Sequence, residues 1–182
     1  MYTGVILGMR GLPMKAIRFL LSLSIVWGLI SGLAIVCGSS EKPADKVLIE
    51  KKARKLTLLR SSIVIRNYRI ALGNTPDGPK TCQGDGRTPE GRYIISGRNK
   101  NSQYHRSLRI SYPNEADRIA ARNRKCSPGG DIFIHGLPNG YGWIGKVHTL
   151  RDWTLGCIAV TDQEIEEIWN LVPNGTAVEI RP

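Results

Sequence analysis

The feature that most constrains the fold of this 182-residue chain is a long uncharged segment near its N-terminus. Residues 19–40 (FLLSLSIVWGLISGLAIVCGSS) contain no charged side chain, and Arg10, Lys15 and Arg18 precede them. A basic flank, an apolar stretch and then small residues are typical of an export signal, and about 20 apolar residues also suffice to cross a bilayer. We therefore expect residues 1–40 to be a signal peptide or an N-terminal membrane anchor.

The remaining residues, 41–182, are sufficient for one self-supporting core. Because basic charge on the N-terminal side of an apolar segment favours export of the domain on its C-terminal side, we expect this domain in the periplasm or on the outer face of the cytoplasmic membrane. Short β-branched or aliphatic runs alternate with turns rich in Gly and Pro, a pattern that predicts strands. These runs lie at residues 47–49, 56–59, 63–72, 93–96, 108–111, 131–135, 158–160 and 176–180.

Helical patterns are fewer than strand patterns. Residues 115–125 have a helical composition with a basic face. A stronger signal begins at Thr161, which with Glu164 has the spacing of a capping box. Apolar residues at i, i+3, i+4 and i+7 then form one face, namely Ile165, Ile168, Trp169 and Val172. The predicted fold class is mainly β with minor α, with one clear helix near the end of the chain.

The net charge of the chain limits the classes of partner that we expect. With 26 basic and 15 acidic residues, the formal net charge is +11. Three of the basic residues lie in the leader, which leaves +8 on residues 41–182. No helix-turn-helix, zinc-finger or aromatic–basic motif accompanies this charge, so nucleic acid is not an expected partner. A modest attraction to an anionic surface is sufficient to explain it.

The strongest candidate for a reactive residue is Cys157, which follows Gly156 at the start of a predicted strand. A glycine there lets a ligand approach the backbone closely, and a thiol becomes a nucleophile when a base takes its proton. His135 ends an apolar strand and precedes Gly136, which suits a fixed imidazole beside open space. His148 lies in a Gly- and aromatic-rich loop at residues 137–153.

Two plainer interpretations compete with a catalytic pair. A cysteine among apolar residues is often a packing residue, and a histidine at a strand end is often a hydrogen-bonded structural one. Asp131, His135, His148 and Cys157 include possible metal ligands, but no C-x-x-C or H-x-x-x-H spacing supports a metal site, so none is predicted.

Several runs together resemble the catalytic domain of the L,D-transpeptidases, exported cysteine enzymes that act on bacterial peptidoglycan. They are residues 84–93 (GDGRTPEGRY), 107–113 (SLRISYP), 128–136 (PGGDIFIHG), 154–157 (TLGC) and 174–180 (NGTAVEI). The resemblance covers about residues 45–181, and we expect the domain to occupy residues 41–181. It implies a β-sandwich or barrel with one helix after the catalytic cysteine.

This sequence departs from the family's commonest motif at two positions. Leu155 stands where a histidine is common before Gly-Cys, and Ala159 stands where an arginine often follows. The chain is therefore similar to a divergent T-x-G-C branch of the family. The histidine that the family uses as its base matches His135, so the nucleophile and base are both present.

The resemblance implies a cysteine acyltransferase that acts on peptidoglycan stem peptides through a Cys157 thioester, with His135 as base and no cofactor. Backbone groups at Gly156 and Gly136 would hold the oxyanion. Residues that would contact substrate are Tyr104, His105, Arg109, Trp153 and Thr154. The loop at residues 137–153 would act as a lid, with Tyr141, Trp143 and Trp153 shielding the acyl-enzyme.

Two other functions stay open. One is a peptidoglycan amidase or L,D-carboxypeptidase on the same pair of residues, and the other is a non-catalytic cell-wall-binding homologue. The pairing of the cysteines also stays open. A Cys82–Cys126 disulfide would leave Cys157 as the free thiol, but spacing alone does not decide the connectivity.

Overall fold

A computed structural model of the chain describes residues 41–182. The predicted leader at residues 1–40 lies outside the described residues. Within residues 41–182, no helix is both long enough and apolar enough to cross a membrane.

Eight strands and two α-helices make up the described domain, which confirms the predicted mainly-β class with minor α. The strands are β1 (Lys46–Glu50), β2 (Lys55–Arg60), β3 (Ile63–Arg69), β4 (Gly91–Ser102), β5 (His105–Ile110), β6 (Phe133–His135), β7 (Ile158–Ala159) and β8 (Ala177–Arg181). The helices are α1 (Glu115–Asn123) and α2 (Asp162–Leu171), and a 3-10 segment covers Gly142–Leu150 inside the predicted loop.

The strands pair in the order β3-β2-β1-β8-β4-β5-β6-β7. Strand β1 runs parallel to β8, and β6 runs parallel to β7, whereas the other neighbours are antiparallel. Strand β4 is much longer than its predicted core at residues 93–96. Its first half pairs with β8 and its second half with β5, and the register shifts between Ile95 and Gly97. Such irregularities bend a strand, so β4 carries the sheet around a corner.

The two edges of the sheet approach each other through the chain that leaves β3. Ala71 bridges to Ala159 in β7, and Gly73 bridges to Thr154. This contact curls the sheet into a half-barrel. Its interior is filled by fully buried aliphatic side chains from both halves, among them Ile49, Leu58, Ile70, Leu72, Ile95, Leu108, Ile134 and Ile158.

Helix α2 covers one side of this core. The predicted capping box is confirmed: the Thr161 side chain accepts from the Glu164 N–H, and the Glu164 side chain accepts from the Thr161 N–H. Ile165 and Ile168 are fully buried. Helix α1 also begins with a capping box, between Asn114 and Asp117, which was not predicted from the sequence.

Cys82 and Cys126 form a disulfide, with their Cα atoms 5.7 Å apart, and Cys157 is a free thiol. The pairing that the sequence left open is therefore the one that frees Cys157. The disulfide ties the turn around Cys82 to the segment between α1 and β6.

Candidate active site

The parallel pair β6 and β7 sets the positions of His135 and Cys157. Ile134 is opposite Ile158, and His135 is opposite Ala159. Because side chains alternate along a strand, the buried Ile134 and Ile158 point into the core, and His135 and Cys157 point to the other face. Both side chains line the same open cavity of about 440 Å³. The two residues singled out from the sequence are thus brought together.

His135 is held in one orientation and one tautomer. It is only 5% exposed, and its Nδ1 lies 2.7 Å from the carbonyl oxygen of Gly136. A carbonyl can only accept, so Nδ1 carries the proton and Nε2 keeps the free lone pair of a base. Burial lowers the pKa of His135 to about 4, which the bond to Gly136 only partly offsets. The imidazole is neutral at pH 7.

Cys157 is also uncharged at rest. Burial raises the pKa of its thiol above the ordinary value, the backbone N–H of Phe133 lowers it, the Asp131 carboxylate raises it, and Lys80 lowers it. Its Sγ lies 3.6 Å from the carbonyl oxygen of Asp131, which can accept the thiol proton. A neutral thiol beside a neutral imidazole can transfer its proton as the sulfur attacks, so no standing ion pair is required.

Two aromatic side chains enclose the imidazole. The ring centroid of Tyr104 lies 4.5 Å from that of His135, and the Trp153 centroid lies 5.9 Å away in an edge-on arrangement. Both aromatic residues line the cavity. Both were expected to contact substrate.

The turn before Cys157 is braced by Thr154. The Thr154 hydroxyl donates to the Cys157 carbonyl at 2.8 Å and accepts from the Gly156 N–H at 3.1 Å. Gly156 has φ +133°, and a Cβ there would lie 2.6 Å from the carbonyl oxygen of Arg87. Only glycine fits, because that backbone conformation is essentially closed to other residues.

The same contacts determine which backbone donors face the cavity. The Gly156 N–H is taken by Thr154, and the Gly136 N–H donates to the Arg106 carbonyl at 3.3 Å. Gly136 therefore orients His135 through its carbonyl and does not offer its amide to an oxyanion. Among the hydrogen bonds of residues 41–182, none uses the Cys157 N–H, so this donor is left available to an oxyanion at the nucleophile.

Two of the expected substrate residues do not line the cavity. His105 points to α2, where its Nε2 lies 2.7 Å from Glu166, and it does not line the cavity. Arg109 lies at the rim, paired with Asp131. Sequence reasoning missed other residues of the cavity wall because single polar or aromatic residues on strands carry no motif. They are Asn99, Ser102, Gln103, Ser107, Asp131, Phe133 and Leu155.

The expected lid is only partly engaged with the site. Trp153 contacts His135, whereas Trp143 is 81% exposed and Tyr141 lines a separate cavity of about 330 Å³. His148 lines that second cavity, and its two ring nitrogens are buried with no hydrogen-bond partner in residues 41–182. In the same range, no group of three His, Cys, Asp or Glu side chains lies close enough together to hold a metal ion.

The fold and the site together define a class: a mainly-β half-barrel domain that places a histidine and a free cysteine thiol at neighbouring parallel strands. The model of the L,D-transpeptidase catalytic domain, YkuD, matches residues 44–180. The chain belongs to the L,D-transpeptidase family. The family expected from the sequence motifs is confirmed.

Individual relatives agree with this assignment. The chain is 30% identical over 112 residues to "Putative L,D-transpeptidase YafK" of Escherichia coli K12, which covers 60% of this chain and 37% of YafK. The crystal structure of the helical cell shape determining protein Pgp2 from Campylobacter jejuni superposes with a TM-score of 0.59 at 23% identity, covering 78% of this chain and 48% of Pgp2. The structure of Bd1075 from Bdellovibrio bacteriovorus superposes with a TM-score of 0.54 at 22% identity, covering 79% of this chain and 50% of Bd1075. These structures share the fold, and this chain spans at most half the length of each relative.

Proposed function

We propose that this protein is an exported cysteine acyltransferase that acts on peptidoglycan stem peptides. The observation that carries the proposal is the free thiol of Cys157 facing the same cavity as His135, whose Nδ1–H bond to Gly136 leaves Nε2 as a base. Membership of the L,D-transpeptidase family supplies the substrate class.

The first half-reaction forms a thioester. As the Cys157 sulfur attacks the amide carbonyl at the L-centre of the stem peptide's diamino acid, its proton passes to Nε2 of His135. The tetrahedral oxyanion accepts a hydrogen bond from the Cys157 N–H, a class of contact that contributes about 3–4 kcal/mol. The intermediate then collapses, the C–N bond breaks, and the His135 imidazolium protonates the departing amine of the terminal D-amino acid.

The second half-reaction releases the enzyme. An acceptor amine, deprotonated by the now neutral His135, attacks the thioester carbonyl, and the thiolate leaves and recovers the proton. The product is a new amide bond. Because His135 acts as a base and then as an acid in each half, its pKa must respond to the charge that forms beside it.

Hydrolysis is the second candidate, and the exposure of the lid favours it. Trp143 is 81% exposed, and Leu155, which lies in the turn before Cys157 and lines the cavity, is 75% exposed, so neither side chain is packed down over the nucleophile. Water that reaches the thioester would give an L,D-carboxypeptidase or amidase in place of a transferase.

Export is supported by three observations. The uncharged segment of residues 19–40 follows basic residues, and the domain itself carries a net charge of +8. The Cys82–Cys126 disulfide fits an oxidising compartment such as the periplasm. A basic domain is attracted to an anionic cell wall. We propose that the leader acts as a signal peptide or as a retained membrane anchor.

The test is intact-mass spectrometry of the purified protein with a stem tetrapeptide. We expect an adduct equal to the peptide less its terminal D-amino acid, and no adduct with Cys157→Ala. His135→Ala should slow acylation about 10³-fold, since general-base catalysis contributes 10²–10⁴-fold.

The matched control is His105→Asn, which removes an imidazole that lies outside the cavity and should leave the rate within twofold. An adduct that persists in Cys157→Ala would overturn the proposal. Peptidoglycan binding without any adduct would instead point to a non-catalytic homologue. Adding an acceptor amine separates cross-linked product from hydrolysed tripeptide by mass.

A further inference from the structure

An ion pair at the mouth of the catalytic cavity has no part in the chemistry described above. Arg109 Nη2 lies 3.1 Å from the Asp131 carboxylate, and their side chains are 53% and 75% exposed. The Asp131 residue lines the cavity together with His135 and Cys157. Exposed ion pairs stabilise a fold only weakly. Breaking the Arg109–Asp131 pair so that each group binds a charged group of a ligand therefore costs little free energy.

Both groups are held at defined positions relative to the nucleophile. In the β5–β6 register, Arg109 is opposite Phe133 and Ser107 is opposite His135, so Arg109 lies on the face of the sheet that carries the catalytic pair. The Asp131 carbonyl oxygen is the group 3.6 Å from Cys157 Sγ. A ligand whose carbonyl carbon reaches the sulfur therefore lies beside the Asp131 backbone, next to this ion pair.

The substrate class proposed above carries charges of matching sign. When the L-centre carbonyl of a diamino acid lies at Cys157, its side chain ends a few methylene groups away. There a second centre can carry a free ammonium and a free carboxylate. We propose that Arg109 and Asp131 recognise this zwitterionic end, with Asp131 binding the ammonium and Arg109 the carboxylate. This inference rests on the proposed function.

The same contact would also act on the nucleophile. The charged groups that bear on Cys157 are Asp131, which raises the pKa of its thiol, and Lys80, which lowers it, with His135 neutral beside them. An ammonium bound to Asp131 offsets the negative charge and makes the thiol easier to deprotonate. Substrate with the correct end is then both bound and attacked more readily.

The test compares three stem tetrapeptides with the purified protein. One has the free zwitterionic end, the second has its amine acetylated, and the third has its carboxylate converted to a carboxamide. We expect kcat/KM for acylation to fall about tenfold for each blocked peptide, the scale of one charge-assisted hydrogen bond. Asp131→Asn should remove the discrimination against the acetylated peptide alone, and Arg109→Gln the discrimination against the carboxamide alone.

The reactivity of the free thiol reports separately on how the Asp131 charge acts on the nucleophile. Asp131→Asn should shift the pH profile of Cys157 alkylation by iodoacetamide towards lower pH, because it removes a negative charge. The matched control is Glu115→Gln, which breaks the comparably exposed Arg122–Glu115 pair on α1. It should leave the peptide preferences and the pH profile of Cys157 alkylation unchanged.

The outcomes separate this inference from the proposed function. Acylation by all three peptides with the same preferences in wild type, Asp131→Asn and Arg109→Gln would overturn the recognition assigned here and leave the acyltransferase standing. Failure of all three peptides to acylate the wild-type thiol would overturn the acyltransferase and, with it, this inference. Loss of one preference in each variant would support both.

Discussion

The two buried histidines of this domain lie in contrasting surroundings. His135 ends β6, where neighbouring strands hold its backbone and the Gly136 carbonyl fixes its ring. His148 lies in the 3-10 segment Gly142–Leu150, where both its ring nitrogens lack partners within the described domain. The same segment exposes Trp143, Val147 and Leu150. Reaction geometry therefore resides in the sheet, and the segment beside it is the part with fewer specific contacts and greater freedom to rearrange.

The largest expected difference between the sheet that carries the site and the 3-10 segment is the free-energy cost of replacing a glycine by alanine. Gly156→Ala places a Cβ 2.6 Å from the Arg87 carbonyl oxygen at φ +133°. We expect a loss of about 4 kcal/mol in the free energy of unfolding, from backbone strain and overpacking together. Gly145 in the 3-10 segment has φ +51° and ψ −137°, a conformation that favours glycine, but no atom lies within 4 Å of an added Cβ. Gly145→Ala should therefore cost about 2 kcal/mol, from backbone strain alone.

Urea denaturation of both variants measures these losses. Equal losses would contradict the contrast between a constrained sheet and a loosely packed segment. Acylation assays on the folded fraction sharpen it further, because Gly156→Ala should also displace the Cys157 turn, whereas Gly145→Ala should not.

The second expected effect is a dependence of stability on acidic pH. The pKa of His135 is lowered to about 4 by burial, against about 6.5 in the unfolded chain. Between these values the unfolded state binds the additional proton, so stability is lost as pH falls from 6.5 towards 4. The His135 contribution to this loss amounts to about 3 kcal/mol. Burial also lowers the pKa of His148, which acts in the same direction.

Urea denaturation between pH 4 and pH 7 measures this loss, and the His135→Asn variant assigns it. The slope should flatten in His135→Asn, because that variant removes the imidazole whose pKa burial lowers. An unchanged slope in His135→Asn would show that the loss arises elsewhere.

The smallest expected effect is at Trp143, whose side chain is 81% exposed in the 3-10 segment. Trp143→Ser should change the free energy of unfolding by no more than about 0.5 kcal/mol, as for other exposed positions. The acylation rate should stay within twofold. Trp153→Ser is the comparison, because that ring contacts His135 and its loss should slow acylation. A large effect of Trp143→Ser on the rate would show that the segment closes over the site during turnover.

Much of this architecture follows from patterns of neighbouring residues. The strand cores, the capping box of α2 and the family motifs around His135 and Cys157 are local signals, because alternation, caps and tight glycine turns are determined within a few residues. Their observed bounds differ where tertiary pairing extends them, as in β4, which runs on to Ser102 because it pairs first with β8 and then with β5.

Other features depend on which distant segments meet. The sequence alone determined that a histidine before glycine ends one strand of a mainly-β domain and that a cysteine after glycine stands at the start of another. Only the tertiary structure decided that Cys82 pairs with Cys126, that His105 faces Glu166 and not the cavity, and that the Gly136 carbonyl orients His135. It also placed Asp131 against the nucleophile. The physical reason is that a side chain's partners are set by strand register and sheet curvature, and the pattern of residues along one strand does not contain either.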